Sequence, residues 1–195
     1  MKTILDLQPA IVWKYFYEIT QVPRPSKKEG KIIRYLENFA DQHHLPLKKD
    51  AVGNILISKA ATPGYEQLPT VVLQLHMDMV CEKNNDVVHD FDNDPIETGV
   101  DGEWLRAKGT TLGADNGIGM AAELALLASD NIEHGPIECL FTVDEETGLT
   151  GAAALAEGFM TGRILLNLDS EDEGQLFMGC AGGKGTVATF TYEPA

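Results

Sequence analysis

The sequence predicts an α/β fold, a mostly parallel mixed sheet flanked by helices. Three short runs, "VVLQL", "IECLFTV" and "RILLNL", are continuously apolar rather than alternating, which is the pattern of strands covered on both faces. They alternate with stretches of helical period, chiefly "ADNGIGMAAELALLAS", and strand–helix alternation argues for parallel pairing. Each run also leads into acidic residues or a histidine, at the strand ends where such sheets collect ligands.

The elements follow in order. Ile11, Val12, Tyr15, Phe16 and Ile19 recur at helical spacing, and "VPRPS" ends that helix. Ser26 followed by Glu29 matches a capping box, and Ile32, Ile33, Leu36, Phe39 and Ala40 form one apolar face of a second helix reaching about His44. "LKKDAVGNILISK" reads as two short strands around Gly53-Asn54. After "VVLQL", residues 81–104 are polar and turn-rich, an excursion closing in a hairpin at "GEWLRA". The long apolar helix stops before Gly135-Pro136, "IECLFTV" is a buried strand, "TGAAALAEG" a short helix and "RILLNLD" a third buried strand. "GQLFMG" and "TVATFTYEP" read as further strands about a glycine-rich turn.

The formal charge of −15, from 30 acidic and 15 basic residues, argues against nucleic acid, which needs a basic surface, and against anionic lipid. A solvated acidic surface explains most of these carboxylates, and some could serve divalent cations. Cys81, Cys139 and Cys180 are odd in number and irregularly spaced, so they form neither a disulfide framework nor a CxxC zinc site. Reduced thiols fit a cytoplasmic protein. The N-terminal stretch, interrupted by Asp6 and Gln8, does not read as a signal peptide. No run approaches a membrane span.

Metal-competent groups stand at four element ends: His76-x-Asp78, Asp115 in "LGADNGIG", Glu145-Glu146 in "TVDEETG" and Asp169 in "LLNLDSED". Singly, each has an ordinary explanation. His76 and Asp78 could be loop polar groups, Asp115 a helix cap, the glutamates a solvated loop and Asp169 a simple strand-end acid. Together they fall on what should be one edge of the sheet, and chance agreement of all four is far less probable. His and Asp two apart share a side of an extended segment, and a metal-bound His usually donates its other N–H to a carboxylate. Imidazole and carboxylate suit zinc, and a carboxylate can bridge two ions about 3.5–4 Å apart, as in two-metal hydrolases.

Other motifs fail. There is no HExxH and no GxSxG. "GCAGGKG" has Gly185 where a P-loop needs Ser or Thr. "DFDNDPIETGVD" begins like a calcium loop but has Pro95 where Gly is required. A Cys81–His76 nucleophile pair would leave the acidic groups unexplained.

"LQLHMDMV", "GTTLGADNGIGMAAELAL", "FTVDEETGLTGA" and "LLNLDSEDEGQLFMGCAGG" resemble the aminoacyl-histidine dipeptidases (peptidase D, Xaa-His dipeptidases). These belong to the co-catalytic zinc family that includes carboxypeptidase G and the aminoacylases. The resemblance runs in order over nearly the whole chain. "GADNG" and "DEETG" are rather specific to the dipeptidase branch, and the wider family tends to have Lys at the position of Asn116. It implies that His76 binds one zinc, Asp115 bridges two, Asp169 completes the first site and Glu146 binds the second ion. It also implies that Asp78 partners His76 and that Glu145 is the general base, an order of the two glutamates that the residues alone leave open. Finally, it implies a cis peptide bond after Asp115. Zinc is the implied ion, and manganese and cobalt suit the same donors.

One departure stands out. The family's second zinc takes a His from far down the chain, after an inserted lid domain, and none of His43, His44, His89 or His134 matches it. The expectation is therefore that residues 1–184 are the N-terminal segment of a metallopeptidase catalytic domain and 185–195 the start of the connection to a lid. In the family that lid helps to hold substrate and to form a homodimer. The function implied for the full-length protein is hydrolysis of dipeptides ending in His, β-alanyl-His included, with this segment inactive alone. The rival readings are an N-acyl amino acid deacylase or aminopeptidase with the same metal pair, a non-catalytic metal-binding fragment, and an acidic scaffold without metal.

Overall fold

The structure, a computed structural model, describes residues 3–170, 172, 174–180, 182 and 185–193. The elements run α1 (Ala10–Thr20), α2 (Gly30–Gln42), β1 (Leu47–Lys49), β2 (Ile55–Lys59), β3 (Val71–His76), β4 (Thr98–Asp101), β5 (Trp104–Ala107), α3 (Ala114–Ala128), β6 (Ile137–Thr142), α4 (Thr150–Ala153) and β7 (Ile164–Asn167).

Five strands form one sheet in the order β1-β2-β6-β3-β7, and β4 pairs with β5 in a separate hairpin inside the 81–111 excursion. The sheet is mixed, as expected. β3 pairs in parallel with both β6 and β7, while β2 runs antiparallel to β6 and to β1. The parallel pairs need crossovers, which α3 supplies between β3 and β6, and α4 with its following loop between β6 and β7.

The apolar runs explain the layering. On one face, Leu75, Ile55, Ile57, Cys139 and Phe141 pack with Phe16 and Ile19 of α1, Ile32, Leu36 and Phe39 of α2, and Met120 and Leu124 of α3. On the other, Leu56, Val72 and Leu140 meet Leu155, Phe159 and Met160 after α4. The two central strands are thus buried on both faces. Glu138, inside β6, is tolerated because its carboxylate accepts hydrogen bonds from Thr161 N (2.8 Å), Thr161 Oγ1 (2.7 Å) and Gly162 N (3.0 Å). That also anchors the approach to β7.

Three expectations are corrected. First, β7 is not a buried strand: Ile164, Leu165 and Leu166 are 43–49% exposed, because it is the outer strand and, among the described residues, no further strand flanks it. Second, residues 174–180 and 185–193 form no strands. An apolar pattern becomes a strand only when a neighbour completes its ladder, and here Leu176 and Val187 stand 96% and 91% exposed. The glycine-rich turn between them falls largely on 181, 183 and 184, outside the described residues. Third, Ser26 and Glu29 form no capping box on α2, which starts at Gly30 without a side-chain cap bond.

Candidate metal centre

Strand register brings the site together. His76 ends β3 opposite Thr142 at the end of β6, so the 143–146 loop leaves the sheet level with the imidazole. Gln74 pairs with Asn167 on β7, so Asp169, two residues on, also comes level with His76. Asp115 arrives from the first turn of α3. Gly113 precedes it at φ 67°, where a Cβ would stand 2.6 Å from Arg24 Nη2 and 2.7 Å from Met79 Sδ. The close approach therefore requires glycine. The Asp115–Asn116 peptide bond is cis, as the resemblance implied, and both residues depart from helical φ/ψ.

His76, Asp115 and Glu146 each present one donor atom, all within 4.8 Å of one another. His76 Nε2 lies 2.9 Å from Asp115 Oδ1 and 3.8 Å from Asp169 Oδ1. Asp169 is outside the trio but adjoins it. Asn116 orients it, donating from Nδ2 to Asp169 Oδ1 (2.9 Å) and to Leu168 O (3.1 Å). On the other side of the ring, His76 Nδ1 lies 3.2 Å from Asp78 Oδ1. Asp78 is wholly buried and accepts from Ser26 Oγ (2.7 Å), Glu145 N (3.1 Å) and Glu146 N (3.3 Å). The carboxylate therefore accepts from Nδ1–H and leaves Nε2 as the nitrogen turned toward the other acids.

The electrostatics are those of a site crowded with negative charge. Burial and the neighbouring Asp115 push Glu146 up, burial and Asp115 push Asp169 up, and burial pushes Glu145 up despite His76. Burial pulls His76 down, but its bonds to Asp78 and Asp115 outweigh that and push it up to about 9. Burial would raise Asp78, yet the bonds from His76, Ser26 and Glu145 N hold it at about 2. One cation lies beneath. Arg24 is fully buried and donates to Met77 O (3.1 Å), Asp78 O (2.7 Å) and Gly113 O, and burial lowers it to about 10.

The donor set fits a divalent cation. It combines an imidazole held by a buried carboxylate, whose Nε2 proton a bound cation would displace, with several oxygens whose mutual repulsion an ion would relieve. Three of the other histidines have partners elsewhere: His43 packs tilted on Phe39, His89 lies edge-on to Phe91, and His134 contacts Gly135 O. In the stretch that begins like a calcium loop, Lys28 Nζ binds Asp92 at 2.7 and 2.9 Å and Lys31 takes Asp92 O, so protein cations already satisfy it. Burial pushes the Cys81 thiol up to about 11, the opposite of an activated nucleophile.

Sequence reasoning missed Arg24 and misassigned Ser26. Both sit in "VPRPS", which reads as a helix stop. The one available signal was an arginine between two prolines with no acidic neighbour to pair with.

Fold and site together define an α/β domain with a metal-competent centre at the strand ends. Residues 72–191 match Peptidase family M20/M25/M40, and the chain belongs to that family. Among curated proteins it is 50% identical over 183 residues to the cytosol non-specific dipeptidase of Escherichia coli (strain K12), covering 94% of this chain and 38% of that protein. Among solved structures it is similar to an aminoacylhistidine dipeptidase from Vibrio alginolyticus, with TM-score 0.87 and 53% identity over 89% of this chain and 35% of that one. It is also similar to aminopeptidase PepT from Bacillus cereus, with TM-score 0.71 and 26% identity over 83% and 43%. The chain spans a little over a third of the length of the first two. No helix among the described residues is long and apolar enough to cross a membrane.

Proposed function

We propose that the protein carrying this chain is a cytoplasmic, metal-dependent dipeptidase that hydrolyses dipeptides with a C-terminal His, β-alanyl-His among them. The observation that carries this reading is the convergence of His76, Asp115 and Glu146 donor atoms within 4.8 Å, with Asp169 alongside. In this reading His76, Asp115 and Asp169 hold one ion, and Asp115 and Glu146 contribute to a second, whose remaining ligand comes from elsewhere in the full-length polypeptide. Residues 1–184 are then the first segment of the catalytic domain, and 185–195 lead toward a lid through which the enzyme dimerises.

Zinc bound there supplies Lewis acidity toward the scissile carbonyl and lowers the pKa of water. The chain's own residues do the rest. Asp78 holds His76 in the tautomer that presents Nε2. Glu145, half-buried and raised above an ordinary carboxyl, takes the proton of the attacking water and returns it to the leaving amine, work that favours a base tuned toward neutral pH. Its backbone N–H is tied to Asp78, so base and ligand are held in one frame.

The test is Glu145→Gln in the full-length protein. Turnover of Xaa-His dipeptides should fall by at least ~100-fold with zinc content unchanged; unaltered turnover would refute the assignment. The printed names of the two dipeptidase relatives differ in breadth, one non-specific and one for aminoacyl-histidine. A panel of Xaa-His, Xaa-Gly, tripeptides and N-acyl amino acids settles selectivity. Preference for N-acyl amino acids would favour the deacylase reading, and efficient tripeptide cleavage an aminopeptidase.

A further inference from the structure

The segment after α1 does more than connect two helices. Over six residues it touches three of the four chain stretches that build the metal centre. Arg24 donates to the carbonyls of Met77 and Asp78 after β3, and to that of Gly113 before α3. Met79 N donates back to Arg24 O at 3.1 Å. Ser26 Oγ donates to Asp78 Oδ2 at 2.7 Å. Glu29, buried, accepts from Asp144 N at 3.0 Å beside the two glutamates and from Lys27 N at 2.9 Å.

Ser26 is the informative member. The two oxygens of Asp78 have divided duties: Oδ1 takes His76 Nδ1 (3.2 Å) and Glu145 N (3.1 Å), while Oδ2 takes Ser26 Oγ (2.7 Å) and Glu146 N (3.3 Å). The serine bond is the shortest of the four and, among the described residues, the sole one from a side chain to Oδ2. Without it, Oδ2 keeps only the long bond to Glu146 N, and the two bonds on Oδ1 hold the carboxylate less firmly against rotation. Rotation would loosen the imidazole on one side and the backbone of both glutamates on the other.

We infer that Ser26 is a positioning residue of the metal centre, holding the Asp78 carboxylate in the rotamer that orients His76 and the Glu145–Glu146 backbone together. The inference rests on the metal-centre reading above. It adds a hydroxyl remote from the ion, contributed by a stretch of chain that itself supplies no ligand.

The experiment is cobalt(II) titration of the full-length protein and of Ser26→Ala and Ser26→Thr, followed by the visible absorption of the complex, with thermal unfolding of the metal-free proteins alongside. Loss of an outer partner of a ligand typically weakens metal binding 10–100-fold. Ser26→Ala should therefore bind cobalt about tenfold more weakly, at the lower end of that range, with an altered spectrum. Ser26→Thr keeps the hydroxyl and should restore both. A purely structural role would lower the melting temperature of Ser26→Ala and leave cobalt affinity and spectrum as in the wild type, which would overturn the inference. Equal weakness in the Thr variant would overturn it too, because the hydroxyl would then not be the cause. If the wild type binds no cobalt, the metal-centre reading itself falls, an outcome distinct from either.

Discussion

His76 and Asp78, two residues apart, lie with Nδ1 3.2 Å from Oδ1, and both are all but excluded from solvent, at 1% and 0% exposure. A pair buried this deeply is stabilising only as a pair, since either member alone would be an unsatisfied polar group. Asp78→Ala should lower zinc affinity of the full-length protein by about 10–100-fold. Competition with a chromophoric chelator measures it, and wild-type affinity in the variant would show that Asp78 does not orient the ligand.

Glu123 on α3 makes a different use of burial. It is fully buried, neither carboxylate oxygen has a partner of ordinary hydrogen-bond geometry among the described residues, and burial holds its pKa well above the ordinary value despite the nearby Cys139 thiol. The folded protein thus keeps a proton that the unfolded chain releases in the ordinary carboxylate range. Stability is full below that range and declines as pH rises through the folded pKa, by up to about 1.4 kcal/mol per pH unit for one proton. Glu123→Gln removes this slope. Urea unfolding at pH 5 and pH 8 should show the variant gaining on the wild type as pH rises; a parallel pH dependence would refute it.

Leu75 is fully buried immediately before His76 on β3. Leu75→Ala should cost about 2–5 kcal/mol of stability, the transfer term plus the cavity, read from the shift in the urea midpoint. A loss under 1 kcal/mol would mean the helix layer collapses into the gap.

Gly151, in the first turn of α4, lies against the end of β6. A Cβ there would meet Val143 O, stand 2.6 Å from Asn54 Oδ1 and 2.7 Å from Val143 N. It would push apart the bonds by which Asn54 ties Val143 N (3.0 Å) and Gly151 O (2.8 Å). Gly151→Ala should therefore destabilise by more than the ~1 kcal/mol typical of a single substitution. It should also weaken zinc binding, because Val143 leads directly into the loop bearing Glu145 and Glu146. A melting temperature within error of wild type would contradict the crowding.

How much of this was legible in the sequence depends on whether local pattern decides the matter. The helices and the central strands were, because apolar period records burial directly. His76, Asp78, Asp115, Glu145, Glu146 and Asp169 could be nominated because apolar strands and an apolar helix all carry an acid or imidazole at one end. Register was not legible: nothing in "RILLNL" distinguishes an outer strand from an inner one, since "VVLQL" and "IECLFTV" carry the same signal and only pairing order separates them. The capping reading of Ser26 failed for a related reason. A hydroxyl three residues before a glutamate scores the same whether it bonds its own helix or a carboxylate 52 positions away, and long-range partners leave no trace in spacing. Glu138 and Glu123 show the same limit, one answered by a loop 23 residues on and the other unanswered.

The outermost strand has a practical consequence. Ile164, Leu165 and Leu166 present greasy surface beside an open backbone ladder, with no strand among the described residues on their far side. Such a border is a template for adding a foreign strand. Expressed by itself, this polypeptide should go turbid and scatter light as its concentration rises, and lysine substituted at Leu165 should clear the solution.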